Sequence, residues 1–306
     1  MASTKPYRVR TITEFHRLRG LPAPDHPLVS VVNLEDIASG QAANAVRVML
    51  DFYSISLKRC SGTRFPYGQE EYDFDEGVMF FIASGQVFGI EHEEDSAVKL
   101  SGWVLAIHPD FLWHSPLART MKRYEFFDYA VNEALFLSEK EETTMTGILK
   151  RIREECRGNI DAFSQDIIIA QIELLLTYSQ RFYHRQFLTR KKANHAILDR
   201  LETLLADYFA SDNLAEKGLP TVQAIAAELN MSPNYLSSLL KVLTGQSTQQ
   251  HIHNKLIESA KEKLSTTDLS VTEIAYALGF EHPQSFSKLF KTKTKLSPSE
   301  FRHSFN

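Results

Sequence analysis

Two short sets of residues carry the chemistry in this sequence. Asn234, Ser237, Ser238 and Lys241 recur at i, i+3, i+4, i+7, and so do Gln284, Ser287, Lys288 and Lys291. On a helix that spacing gathers each set on one face. Neither set holds an Asp or Glu, which a merely solvated face usually carries. Amides and hydroxyls donate to and accept from base edges, and lysines meet phosphates. The chemistry is therefore recognition of a nucleic acid, with no bond made or broken. Asn234, Ser237, Ser238, Gln284, Ser287 and Lys288 are the base-side residues, and Lys241, Lys291, Lys293 and Lys295 the phosphate-side residues. Any one of them alone reads as an ordinary surface residue. The repeated geometry is what argues otherwise.

Each set must be held by a helix whose other face is apolar. Leu236, Leu239 and Leu240 supply that face in the first case, and Phe286, Leu289 and Phe290 in the second. Both helices end one larger pattern used twice, Thr221 to Gly245 and Ser270 to Lys295. Ile225, Ala226 and Leu229 match Ile274, Ala275 and Leu278 at an offset of 49; past the turn, Ser237, Leu240 and Lys241 match Ser287, Phe290 and Lys291 at 50. The second turn is one residue longer, and one supersecondary unit, helix-turn-helix, occurs twice. Pro233 and Pro283 sit at the first position of the two reading helices, where a missing N–H costs nothing. Ser270 with Glu273, and Ser297 with Glu300, form capping boxes. Thr248 to Leu264 reads as a connecting helix, and Asn194 to Ala210 as the helix that starts this domain.

Several stretches together resemble the AraC/XylS transcriptional regulators, over about the last hundred residues. They are Ala-Ile-Ala-x-x-Leu with Ser232 opening the first reading helix, Glu-Ile-Ala-x-x-Leu-Gly-Phe from Glu273 to Phe280, the segment Phe286 to Lys291, and Ser-Pro-Ser-Glu-Phe-Arg from Ser297 to Arg302. The sequence departs from the family at Lys255 and Ser238, where Arg is usual, and at Lys295, where a Gly commonly ends the last helix. A left-handed backbone at Lys295 would carry strain of about 1 kcal/mol. The resemblance implies a sequence-specific regulator, by family habit an activator, whose two helices enter successive major grooves of double-stranded DNA. That places them one helical turn apart, roughly 34 Å. It also implies RNA polymerase as a partner, a small-molecule effector in a cupin-like N-terminal domain, and a homodimer.

The N-terminal part fits a sensor of that kind. Residues 1–27, with Pro6, Pro22, Pro24 and Pro27, read as an irregular arm. LVSVVNL, VMLDFYSISLK, GVMFFIA, QVFGIE and VKLSGWVLAIH, between residues 28 and 108, read as strands of a sandwich or barrel. YDFDEGVMFFIASGQV resembles a cupin hairpin. A short helix is expected around Asp110 to Met121 and a strand at Tyr124 to Ala130. Ser138 with Glu141 opens a helix to about Cys156, and Gly158 and Asn159 break it. A second helix follows from Phe163 to Tyr183, with Ile167, Ile168, Ile172, Leu175 and Leu176 as its apolar stripe. The pair caps the sheet, builds a dimer interface, or does both. The expected fold class is α+β: a cupin-like β-barrel or sandwich with a helical pair over 1–184, a linker over 185–193, and an all-α double helix-turn-helix domain over 194–306.

Bulk properties exclude other classes. A chain of 306 residues with 43% hydrophobic content suits two soluble domains. No apolar run is long enough for a bilayer span, and MASTKPYRVR lacks a signal peptide's apolar segment. Cys60 and Cys156, far apart and unpatterned, fit a reducing cytoplasm and read as buried small hydrophobes. From Arg190 onward there are 14 Lys+Arg against 12 Asp+Glu, so the basic footprint is local: Lys288, Lys291, Lys293 and Lys295. His92 with Glu93 and Glu94, His108 and His114 form no metal-ligand pattern. Nucleophile elbow, phosphate loop and dinucleotide fingerprint are all missing, so no cofactor, metal or catalytic residue is expected. The rivals are a cupin-type enzyme with an appended DNA-binding domain and an architectural DNA binder indifferent to sequence.

Overall fold

The computed structural model describes residues 6–37, 46–60, 66–67, 70–71, 77–90, 100–158, 161–210, 214 and 218–304. The chain divides into two compact units, Met1–Gln186 and Phe187–Asn306.

The first unit contains strands β1 (Tyr7–Val9), β2 (Val29–Asn33), β3 (Val46–Leu50), β4 (Tyr53–Cys60), β5 (Pro66–Tyr67), β6 (Glu70–Glu71), β7 (Val78–Ile82), β8 (Val87–Ile90), β9 (Leu100–Ile107) and β10 (Leu135–Phe136). Its helices are α1 (Ile12–Leu18), α2 (Pro116–Thr120), α3 (Glu139–Arg157) and α4 (Ser164–Thr189), the last running on past the unit boundary. One sheet has the order β1-β3-β8 and another β10-β7-β4-β9-β2, while β5 and β6 pair with each other. Strand alternation splits the larger sheet into two faces. Val32, Val104 and Ala106 join Val9, Val48 and Leu50 of the smaller sheet in one core, so the sheets share an interior. The opposite face carries Val31, Ile55, Leu57 and Leu105, all buried, and α3 lies against β2 and β9. Arg153 of α3 reaches over the Trp103 ring, 5.3 Å from its centroid, and bonds Asp36 at 3.2 Å.

Several expectations are corrected here. The irregular arm holds β1 and α1. Thr11 caps α1 by accepting from the Glu14 N–H, and Ile12 and Phe15 are buried. The His16 ring then ties the segment down. Its Nδ1 donates to the Pro22 carbonyl (2.6 Å), and its Nε2 lies 2.8 Å from the Ser30 hydroxyl. The run VMLDFYSISLK is two strands in different sheets, broken at Asp51, whose N–H turns to the Val9 carbonyl. Tyr124 to Ala130 is no strand; Glu125–Asp128 is a tight 3₁₀ turn. Successive strand residues point to opposite faces, whereas this turn sends both Phe126 and Phe127 inward against Phe81, at 4.5 and 5.7 Å between ring centroids. The helix expected from Asp110 to Met121 is a 3₁₀ turn, Pro109–Leu112, and α2; His114 between them adopts φ 65°.

The expected linker, residues 185–193, is helical on either side of Arg190. The sequence there is polar, but Arg185 forks onto Glu141 (3.0 and 2.6 Å) and Gln186 bonds both the Phe136 N–H and the Ala134 carbonyl. These bonds draw α4 onward where composition suggested it had ended.

Among the described residues, the elements of the second unit are all helices: α5 (Lys191–Ala210), α6 (Val222–Glu228), α7 (Pro233–Thr244), α8 (Thr248–Thr266), α9 (Val271–Ala277), α10 (Pro283–Thr294) and α11 (Pro298–His303). α6 with α7, and α9 with α10, are the two helix-turn-helix copies. They share one continuous core. Ile225, Leu229, Leu236 and Leu240 from the first copy join Ile274, Leu278, Phe286 and Phe290 from the second, through Ile252, Leu256, Ile257, Ala260 and Leu264 of α8. Ser247 with Gln250 forms a capping box on α8, beside the two read from the sequence. Arg302 of α11 donates to the Leu264 and Leu269 carbonyls (3.2 and 2.6 Å), satisfying acceptors where α8 ends.

Candidate nucleic-acid interface

The two reading helices are built by the same local rules. In α7 the Ser232 hydroxyl accepts from the Tyr235 N–H, Pro233 opens the first turn, and Gly245 at φ 74° closes the last. Tyr235, Leu236, Leu239 and Leu240 are buried, so the helix is anchored along one side. In α10 His282 makes no side-chain cap, Pro283 opens the turn, and Phe286 and Phe290 are fully buried beside a half-buried Leu289.

The outward faces differ. Gln284, Lys288 and Lys291 on α10 are exposed and Ser287 is half-buried. On α7 Lys241 is exposed, while Asn234, Ser237 and Ser238 are half-buried. The Ser237 hydroxyl lies 3.0 Å from that of Thr248, a fully buried residue at the start of α8. Ser237 is therefore engaged by its own domain, a contact between neighbouring helices that helical spacing alone does not reveal. Lys293 is likewise engaged: its ammonium donates to the Asn254 Oδ1 at 3.1 Å. Asn254 and its other partner Gln246 escaped the sequence reading, since Lys293 lies 39 positions from Asn254 and no periodicity links them.

Charge is concentrated on α10. Lys291 and Lys293 lie in its last turn and Lys295 is its C-cap, where the helix dipole favours cations. Burial, with the Lys293 charge added, lowers the pKa of His253. Bonds to Ser270 hold the Glu273 carboxylate below its ordinary value, and bonds to Ser297 do the same for Glu300. Both acids are tied into caps on α9 and α11. Among the described residues, no group of three or more His, Cys, Asp or Glu could hold a metal ion. His92, Glu93 and Glu94 lie outside the described residues, as does the Cys60 side chain. Burial pushes the Cys156 thiol up to about 12, the behaviour of an inert small hydrophobe. Among the described residues, no helix is long and apolar enough to cross a membrane.

Lys295 has φ 68°, the left-handed conformation that Gly245 adopts at the matching end of α7. A non-glycine residue there is strained by about 1 kcal/mol. Lys295→Gly is expected to raise the stability of the domain by about that amount in urea unfolding while weakening binding to duplexes of any sequence. An unchanged unfolding midpoint would show the strain is relieved elsewhere.

Residues 225–304 match the family described as Helix-turn-helix domain. The uncharacterized transcriptional regulatory protein YesN of Bacillus subtilis is 37% identical over 109 residues, covering 35% of this chain and 28% of that protein. The chain thus spans well under a third of that relative's length. The HTH-type transcriptional activator RhaS of Salmonella dublin is 24% identical over 265 residues, 82% of this chain and 85% of the relative. Among solved structures, the C-terminal domain of AraT, a response regulator from Geobacillus stearothermophilus, is 30% identical over 35% of this chain and 84% of its own, with a TM-score of 0.31.

Proposed function

We propose, from the premise that the C-terminal unit carries a helix-turn-helix domain of the AraC/XylS type, that this protein is a sequence-specific, double-stranded-DNA-binding regulator of transcription. One observation carries the proposal. Two helices with acid-free polar faces are held by a single continuous core, the construction needed to enter two successive major grooves at once. α10 supplies the more accessible reading face. Residues 194–306 bind DNA and residues 1–184 act as the cupin-like sensor. Its support is the interior shared by two sheets, onto which the buried Ser30, Ser54 and Ser56 of the larger sheet face. This unit binds a small-molecule effector.

The protein forms a homodimer through α3 and α4. Phe163 (69% exposed), Ile167 and Leu174 leave an apolar stripe uncovered along α4, and such a stripe marks an association surface. Activation through contact with RNA polymerase, in the cytoplasm, follows the habit of the family; the relative with similar coverage is named an activator.

The decisive experiment separates two kinds of contact on α10. Gln284 is exposed in the first turn, and its amide matches adenine N6 and N7. Lys291 is two turns later and acts through counterion release. Gln284→Ala is expected to cost about 1–3 kcal/mol on the cognate duplex and much less on a scrambled one. Lys291→Ala is expected to weaken both equally and lower the salt slope by about one unit. Binding is measured on both duplexes across a salt series. Equal loss of specificity in the two variants, or an unchanged salt slope for Lys291→Ala, overturns the docking geometry.

A further inference from the structure

The two helix-turn-helix copies are joined by something besides their apolar core. Asn254 projects from α8, half-buried, between the ends of the two reading helices. Its Nδ2 donates to the Gln246 Oε1 at 2.8 Å, and Gln246 directly follows Gly245, the residue that closes α7. Its Oδ1 accepts from the Lys293 ammonium at 3.1 Å, in the last turn of α10. The orientation of this amide is fixed by chemistry. Lysine only donates, so Oδ1 must face Lys293, and Nδ2 is left for the Gln246 oxygen. One side chain therefore holds the end of each reading helix.

The core and this bridge do different work. Packed Leu, Ile and Phe side chains fix how closely the helices approach, but contacts between them are non-directional. Hydrogen bonds weaken steeply as they bend away from linearity. They add to the core a directional tie between one helix end and the other. The Lys293 ammonium meets a neutral acceptor and retains two further donors, so the bridge also aims that group.

We infer that Asn254 is a positioning residue that sets the phase between the two reading helices, and with it the spacing of the two half-sites the protein accepts on DNA. Asn254 acts through Gln246 and Lys293, without contacting a base. The inference rests on the two-groove reading proposed above.

The test uses the full-length chain and a duplex selected by the wild-type protein from a random pool. A second duplex carries one inserted base pair between the two half-sites. One added base pair moves the second half-site along and around the helix axis. The wild-type protein is expected to bind the expanded duplex at least about tenfold more weakly. Asn254→Ala and Gln246→Ala are each expected to bind the native duplex less tightly and to shrink that ratio to about threefold or less. Domain destabilisation alone would lower binding to both duplexes alike and leave the ratio intact. If both variants keep the wild-type ratio, the inference is overturned. Should Asn254→Ala fail to fold by circular dichroism, Gln246→Ala, altered in the loop after α7, decides alone. If the wild-type protein selects no bipartite sequence, the two-groove reading itself fails, a result distinct from a ratio the variants do not change.

Discussion

A chain with asparagine in place of Gly279 is expected to lose at least about 3 kcal/mol of folding stability, while Asn230→Gly at the matching position changes stability by under about 1 kcal/mol. The two residues end the first helix of each copy in the same way. Asn230 has φ 57° and Gly279 has φ 82°. The N–H groups of Met231 and Phe280 reach back to the carbonyls of Ala226 and Ala275, at 2.9 and 3.0 Å. Asparagine tolerates the left-handed region, so the dihedral alone does not forbid it at 279. The neighbours do. A Cβ on Gly279 would lie 2.8 Å from the Leu214 carbonyl oxygen and 3.0 Å from the Gly218 carbonyl carbon. That oxygen is already fixed by the Gly218 N–H at 2.9 Å. Backbone would have to move. Urea unfolding followed by far-ultraviolet circular dichroism measures both variants. Wild-type behaviour of Gly279→Asn would mean the close approach does not exist.

The second large effect lies in the sandwich. Gly102→Ala is expected to destabilise the N-terminal unit by about 3–5 kcal/mol. Gly102 has φ 127°, and a Cβ there would stand 2.1 Å from the Leu57 carbonyl oxygen. Gly102 pairs with Lys58 between β4 and β9, the central pair of the five-stranded sheet. No side chain is present to bend away, so the strands would have to part. The chain's two tryptophans, Trp103 and Trp113, both lie in this unit, so intrinsic fluorescence reports its unfolding selectively. A fluorescence midpoint unchanged from wild type would count against the tight register described for β4 and β9.

What the sequence made legible follows from how local each signal is. The helix-turn-helix copies were readable because caps, Pro at the first helical position and apolar spacing all lie within a few residues of what they specify. Ser270 with Glu273 and Ser297 with Glu300 form the boxes expected of them. Elements set by distant partners were hidden. α1 carries a local signal, Thr11 three residues before Glu14, but this lies in a Pro-flanked stretch that reads as an arm, and its burial against Val48, Leu50 and Phe52 is set by distant strands. The break between β3 and β4 depends on which sheet each half joins; Asp51, a residue disfavoured in strands, is the only local mark of it in a hydrophobic run. Of the candidate interface, the two helices and the side of each that faces outward were legible. The engagement of Ser237 by Thr248 and of Lys293 by Asn254 was not, because each is a contact between different helices.

The core common to both helix-turn-helix copies bears on how a regulator of the kind proposed would acquire new targets. Two binding heads on a flexible tether can be re-spaced by lengthening the tether, at a loss of effective concentration. Here there is no tether to lengthen, since α8 contributes six buried residues between the heads. Outward side chains such as Gln284 and Lys288 bear no packing burden and are free to drift. Operator sequence and operator length then evolve on separate clocks. The first changes by single surface substitutions that leave folding untouched. The second changes only through the residues that join the two copies, the buried side chains of α8 and the Asn254 bridge among them.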